Sequence, residues 1–193
     1  MKNNNRSSFS TGAFVKDLCL SAASLFYDVI GAHSKMVETA RRQLAHRLAN
    51  LSSDHLEVAR AQFDLADQLL AGTARDRAEA LGLLNTSRPV FEDNFGECSN
   101  ALGQVIRRLA MIKDRDGDTQ SAEALYRQAF TMFTHHAPSW SSDYAQVCER
   151  LAGILEARGD KFGARGFADI AKKIHQRRTQ VMLSGRYAYY YMG

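Results

Sequence analysis

Asp114-Arg115-Asp116-Gly117-Asp118 sets carboxylates at alternate positions beside a glycine, which is how a calcium-binding loop opens. The continuation fails that chemistry. Thr119 stands where such a loop needs Gly for its sharp turn, and Leu125 where a bidentate Glu is required. His135 and His136 are adjacent, whereas two ligands on one helix face are three or four positions apart. Cys19, Cys98 and Cys148 are odd in number, far apart and outside any CxxC, which argues against a disulfide framework and a zinc ribbon. They read as free thiols in a reducing compartment, and the expected location is cytoplasmic. The chain has no GxGxxG after a strand, no GxxxxGK and no HExxH, and nothing aligns its Ser and His residues as a triad. The expectation is a non-enzymatic chain with no cofactor and no metal.

The other chemistry is electrostatic. Lys172, Lys173, Arg177, Arg178 and Arg186 precede Tyr187, Tyr189, Tyr190 and Tyr191. Basic groups neutralise phosphates and aromatic rings stack on bases, so this end suits nucleic acid. It also suits an anionic membrane surface, or a solvated last helix whose aromatic tail folds back over an open edge. Net charge is +4 over residues 1–50, −6 over 51–160 and +6 over 161–193, so both ends are basic around an acidic middle.

The elements that must position these groups are helical. Ala, Leu, Arg, Gln and Glu are plentiful, only Pro89 and Pro138 interrupt, and long β-branched runs are absent. The chain of 193 residues suits one packed domain. No transmembrane segment is expected: the most apolar stretch, 18–30, contains Asp28 and is shorter than the roughly 20 residues a spanning helix needs. Residues 1–11 are polar, rich in Asn and Ser, and read as a disordered tail; an export signal can have this composition. About eight helices are expected, over 12–31, 35–51, 55–71, 75–87, 97–115, 119–135, 143–158 and from 161 past 178. His33-Ser34 would turn the first pair, Ser52-Ser53-Asp54 would cap the third helix, and Pro89 would weaken the end of the fourth.

The chain repeats itself at an offset of 42: Leu109, Ala110, Ile112, Gly117, Asp118, Ala122 and Ala129 recur as Leu151, Ala152, Ile154, Gly159, Asp160, Ala164 and Ala171. On this register His33, Arg75, Gly117 and Gly159 fall at hairpin turns. Two further positions hold small residues throughout, Ala40/Gly82/Ala124/Gly166 and Ala45/Ser87/Ala129/Ala171, where backbones are expected to approach closely. Gly117-Asp118 is thus better explained as a repeat turn than as part of a calcium loop.

Leu109-Ala110, Gly117, Ala122, Tyr126 and Ala129 together resemble the tetratricopeptide repeat (TPR), and the 42-residue length with AEALYRQA resembles the longer repeats of kinesin light chain. In the next unit Ala168 replaces the aromatic, and the preceding unit fits with Leu65-Ala66, Gly72, Ala80, Leu84 and Ser87 if its turn has gained about two residues. The resemblance implies an all-α fold of stacked antiparallel helix hairpins in a right-handed TPR-like superhelix. It divides the chain into a tail (1–11), an N-terminal helix pair as cap or degenerate repeat (12–51), three TPR-like repeats (52–178) and a basic, aromatic C-terminal tail (179–193). It also implies a concave groove for a peptide or helix of another protein, lined by Arg60, Phe63 and Asp67, then Gln104, Arg107, Arg108 and Met111, then Gln146, Glu149 and Arg150.

Relatives often carry Asn before the Leu-small pair, to hold a peptide backbone. Here Asp64, Arg108 and Arg150 stand there. Two stacked arginines favour an acidic partner, since a guanidinium grips a carboxylate with two parallel bonds. Equally, Arg108 and Arg150 would pair with acids of adjacent helices. The functional expectation is a protein-binding adaptor; the alternatives are a nucleic-acid-binding or regulatory protein using its basic ends, and a secretion-system chaperone or effector.

Overall fold

The computed structural model describes residues 11–138 and 140–184, and side chains from residue 31 onward. Seven helices and no strand occur among the described residues: α1 (Thr11–Asn50), α2 (Leu56–Leu69), α3 (Ala74–Phe95), α4 (Asn100–Arg115), α5 (Thr119–His136), α6 (Ser142–Ala157) and α7 (Lys161–Leu183). Helices α2–α3, α4–α5 and α6–α7 form hairpins, each packed on the next, and α1 lies on α2.

The best-matched turns close in the same way. Gly117 and Gly159 have φ of 84° and 91°, the left-handed region that glycine enters without a Cβ penalty. The amide of Asp118 donates to the Lys113 carbonyl and that of Asp160 to Leu155, both at 2.9 Å, which satisfies carbonyls left over at the helix end. The same aspartates then cap the following helix, accepting from Ser121 and Gly163. His33 has neither device, so the expected turn there is absent and α1 runs unbroken over Thr11–Asn50, one helix in place of a pair.

Three more local expectations change. α3 continues through Pro89 to Phe95, since Val90 and Phe91 are buried and Phe91 packs on Phe63 at 5.8 Å. Burying such side chains contributes about 1.5–3 kcal/mol each, enough to offset the roughly 3 kcal/mol cost of an interior proline. His55, not Ser52, Ser53 or Asp54, caps α2, its Nδ1 accepting from the Glu57 amide. α7 extends past Arg178 to Leu183, so part of the expected C-terminal tail is helix; residues 1–10 and the tyrosines of 187–191 lie outside the described residues.

The core runs along the stack, with Tyr126, Phe133, Ile106, Ile112, Leu84 and Leu151 fully buried. Of the small-residue positions, Ser87, Ala129 and Ala171 are buried but Ala45 is exposed; at the other, Ala40 is half-buried against the core, while Gly82, Ala124 and Gly166 face outward and a Cβ on either glycine would meet open space. The smallness of Gly82, Ala124 and Gly166 serves no close approach. Gly103 is the position that does: a Cβ there would stand 2.8 Å from Phe133 Cε1.

Candidate functional site

The first helices of the hairpins carry the expected groove residues. Their arginines are largely engaged across the stack. Arg108 is buried; its Nε donates to Asp67 of α2 at 2.6 Å, Nη1 to the Gln104 carbonyl at 3.3 Å, and its guanidinium lies 4.2 Å from the centre of the Phe63 ring. That is a charge-assisted bond plus a cation–π contact. Arg107 is buried as well, with Nη1 donating to Gln146 at 2.9 Å and Nη2 3.1 Å from Asp143. Burial pulls its pKa below the usual arginine value, against the raising effect of Asp143, and its Nε has no partner.

Arg150 is different. Its Nε and Nη2 both donate to Asp114 Oδ2, the first at 2.8 Å, and its side chain stays 57% exposed. Asp114 also accepts from the Tyr126 hydroxyl at 3.3 Å. Burial, and then the negative charge of Asp114, push the Tyr126 phenol up to about 12. The acids that suggested a calcium loop are thus occupied: Asp114 by Arg150 and Tyr126, Asp116 by Arg77, and Asp118 by its cap and Lys113. Among the described residues no three His, Cys, Asp or Glu side chains gather as a ligand set, and no helix is long and apolar enough to cross a membrane.

A cavity of about 270 Å3 opens between α4, α5 and α6. Arg107, Met111, Gln146, Glu149 and Arg150 line it, together with Asp114, Arg115 and Tyr126. The structure therefore brings together five of the expected groove residues. Arg60, Phe63, Asp67, Gln104 and Arg108 lie outside this cavity: Arg60 pairs with Glu57 of its own helix, and the other four surround the Arg108 contact. Asp114, Arg115 and Tyr126 are the lining residues absent from the expected groove, and Tyr126 comes from the second helix of its hairpin. Helical periodicity would have found Asp114 and Arg115, because 107, 111, 114 and 115 recur on one face. Lys172, Lys173 and Arg177 of the basic end are exposed on α7, while Arg178 is half-buried; Arg186 lies outside the described residues.

No family model matches the chain, and no curated protein matches it. Solved structures do. BtubC (BKLC) from P. vanneervenii superposes with a TM-score of 0.66 at 22% identity, covering 79% of this chain. This chain spans 60% of the length of that structure. Kinesin light chain nearly identical TPR-like repeats from Podosopora anserina superpose with a TM-score of 0.56 at 21% identity, and a variant of them with 0.58 at 19%. Both cover 80% of this chain and are covered over 72% of their own. With its three stacked hairpins and repeated glycine turns, the chain has the TPR-like helical-repeat fold of these structures.

Proposed function

We propose that this chain is a non-enzymatic, cytoplasmic adaptor that binds an acidic peptide or helix of another protein along its first-helix face. The observation that carries this reading is the cavity of about 270 Å3 whose walls are Arg107, Met111, Gln146, Glu149 and Arg150, with Arg115 at its edge. Arg115 and Arg150 are the exposed cations of this wall, since Arg107 is already committed to Asp143 and Gln146, and Met111 gives an adaptable apolar contact. Arg150 is the residue to grip an incoming carboxylate, because it is exposed and both of its bonds go to one oxygen of Asp114. Arg108 acts through the scaffold instead, holding α4 to α2. The TPR-like fold supports a protein-interaction scaffold, and the free thiols of Cys98 and Cys148 agree with a reducing compartment.

The test captures partners with the full chain and measures their affinity for the Arg150→Ala variant, since a glutamate there would set a second carboxylate against Asp114. Affinity should fall at least tenfold while helicity by circular dichroism stays unchanged. Unaltered binding would remove Arg150 and this cavity from the interface. Charge reversal at Arg108 is a poor test, since it would set a second carboxylate against Asp67 and damage the stack itself.

A further inference from the structure

Helix α7 carries Lys161, Arg165, Lys172, Lys173, Arg177 and Arg178 against a single acid, Asp169. Among the described residues none of these cations stands in an ion pair; the pair that α7 makes is His175 with Glu149 of α6. Elsewhere in the stack the arginines mostly find acids, as Arg41 finds Glu79, Arg77 finds Asp116 and Arg158 finds Glu123. The repeat shows that the fold does not require the difference. Counting back 42 positions, Lys161, Arg165, Lys172, Lys173 and Arg177 correspond to Thr119, Glu123, Phe130, Thr131 and His135 of α5. Phe162 corresponds to Gln120. Nor does the arrangement help the helix. Lys161 with Arg165, and Lys173 with Arg177, are like charges four positions apart, which repel on one helix face. The concentration of charge therefore points outside the fold.

The placement of these side chains narrows the partner. At the helical period, Lys161, Arg165, Lys172 and Leu183 fall within about 40° of one another, and Phe162, Lys173 and Arg177 lie within about a further 120°. All are exposed, on the side turned away from Ala164, Ala171 and Ile174, which are buried. Asp169 is the acid on that face. Phe162 is 92% exposed and Leu183 is 83% exposed. They stand at the two ends of the face, about 32 Å apart at the helical rise. The face is convex, basic along its length and apolar at both ends. A nucleic-acid strand is held in a groove, and a phosphate backbone gives the aliphatic Leu183 nothing to bury against. An anionic lipid surface meets both needs: its headgroups attract Lys and Arg, while Phe and Leu sink to the acyl boundary. We propose that α7 lays this face on an anionic membrane surface, with its exposed cations on the headgroups and Phe162 and Leu183 in the interface. The proposal stands apart from the adaptor reading, because no residue of α7 lines the α4–α6 cavity.

The test is flotation of the full chain with phosphatidylcholine vesicles, prepared with and without phosphatidylserine. Binding should require phosphatidylserine and fall steeply with added salt, which screens surface charge. Lys172→Glu with Lys173→Glu should weaken it at least tenfold. Phe162→Ser with Leu183→Ser should weaken it at least threefold. All four positions are exposed, so helicity by circular dichroism should match the parent's. Arg150→Ala, outside this face, should bind vesicles as the parent does. No binding to phosphatidylserine vesicles at low salt overturns the proposal, and so does a charge-reversed variant that binds like the parent. Tighter binding to a DNA duplex or a single strand than to these vesicles, unchanged by Phe162→Ser with Leu183→Ser, also overturns it and gives the face to nucleic acid.

Discussion

Arg108 and Arg150 occupy the same repeat position, one residue before the Leu-small pair, yet they end in different environments. The Arg108 side chain is 9% exposed and that of Arg150 is 57% exposed. The reason lies in the preceding helix. The repeat aligns Asp64 with Arg108, and three residues beyond Asp64 stands Asp67, which accepts Arg108 while Phe63 takes its face. Three residues beyond Arg108 stands Met111, which offers no charge, so Arg150 reaches on to Asp114 nearly one turn further and stays at the surface. Identical positions in a repeat thus become a structural clamp or an exposed contact according to one neighbour's side chain.

The second half of the comparison is Tyr126 against Ala168. Tyr126 is 1% exposed because α6 covers it, whereas the exposed Ala168 lines an open groove of about 690 Å3 between α6 and α7. Truncating Tyr126→Ala should cost about 3–5 kcal/mol in urea unfolding, as for other large buried side chains. Enlarging the equivalent residue, Ala168→Tyr, should change stability by less than about 1 kcal/mol, since nothing described is displaced. Equal effects would mean that the two hairpins are covered alike.

The arginine pair gives a smaller contrast. Arg108→Ala should cost about 3 kcal/mol through the lost charge-assisted bond and ring contact. Arg150→Ala should cost under about 1 kcal/mol, as for most exposed ion pairs. The same denaturation series decides it, and a large Arg150 effect would move that residue into the scaffold.

The pH dependence of Tyr126 is smaller again. Its folded value is raised from 10 to about 12, so the proton is held more tightly in the folded chain. The stabilisation is complete below pH 10 and is lost as pH rises through 12, by up to about 2.7 kcal/mol for a two-unit shift. In Tyr126→Phe this contribution should be lost, read as the difference between variant and parent stability at successive pH values, while the part of the alkaline slope from the buried Cys148, raised from 9 to about 12, and from Tyr144, also raised by burial, remains.

Much of the fold was legible in the residues, because periodic apolar positions and glycine turns act locally. Gly117-Asp118 and Gly159-Asp160 announce the same turn twice, since a left-handed backbone position needs glycine whatever surrounds it. The errors came where packing decides. His33 offered no signal beyond polarity, and the helix runs straight through it. Pro89 is a local breaker overruled by the burial of Val90 and Phe91. Gly82, Ala124 and Gly166 are small without being close to anything, because register alone does not say which face a neighbour covers.

The candidate site divides along the same line. The sequence by itself determined the helices, their turns and which residues lie on the first-helix faces, since 3.6-residue periodicity needs no partner. Only the tertiary structure decided that Arg107 and Arg108 are buried and committed, that Arg150 remains exposed, and that Asp114 and Arg115 join the cavity. Ion pairs across the stack depend on the axial offset between neighbouring helices and on which side chain waits at that height, and packing sets both.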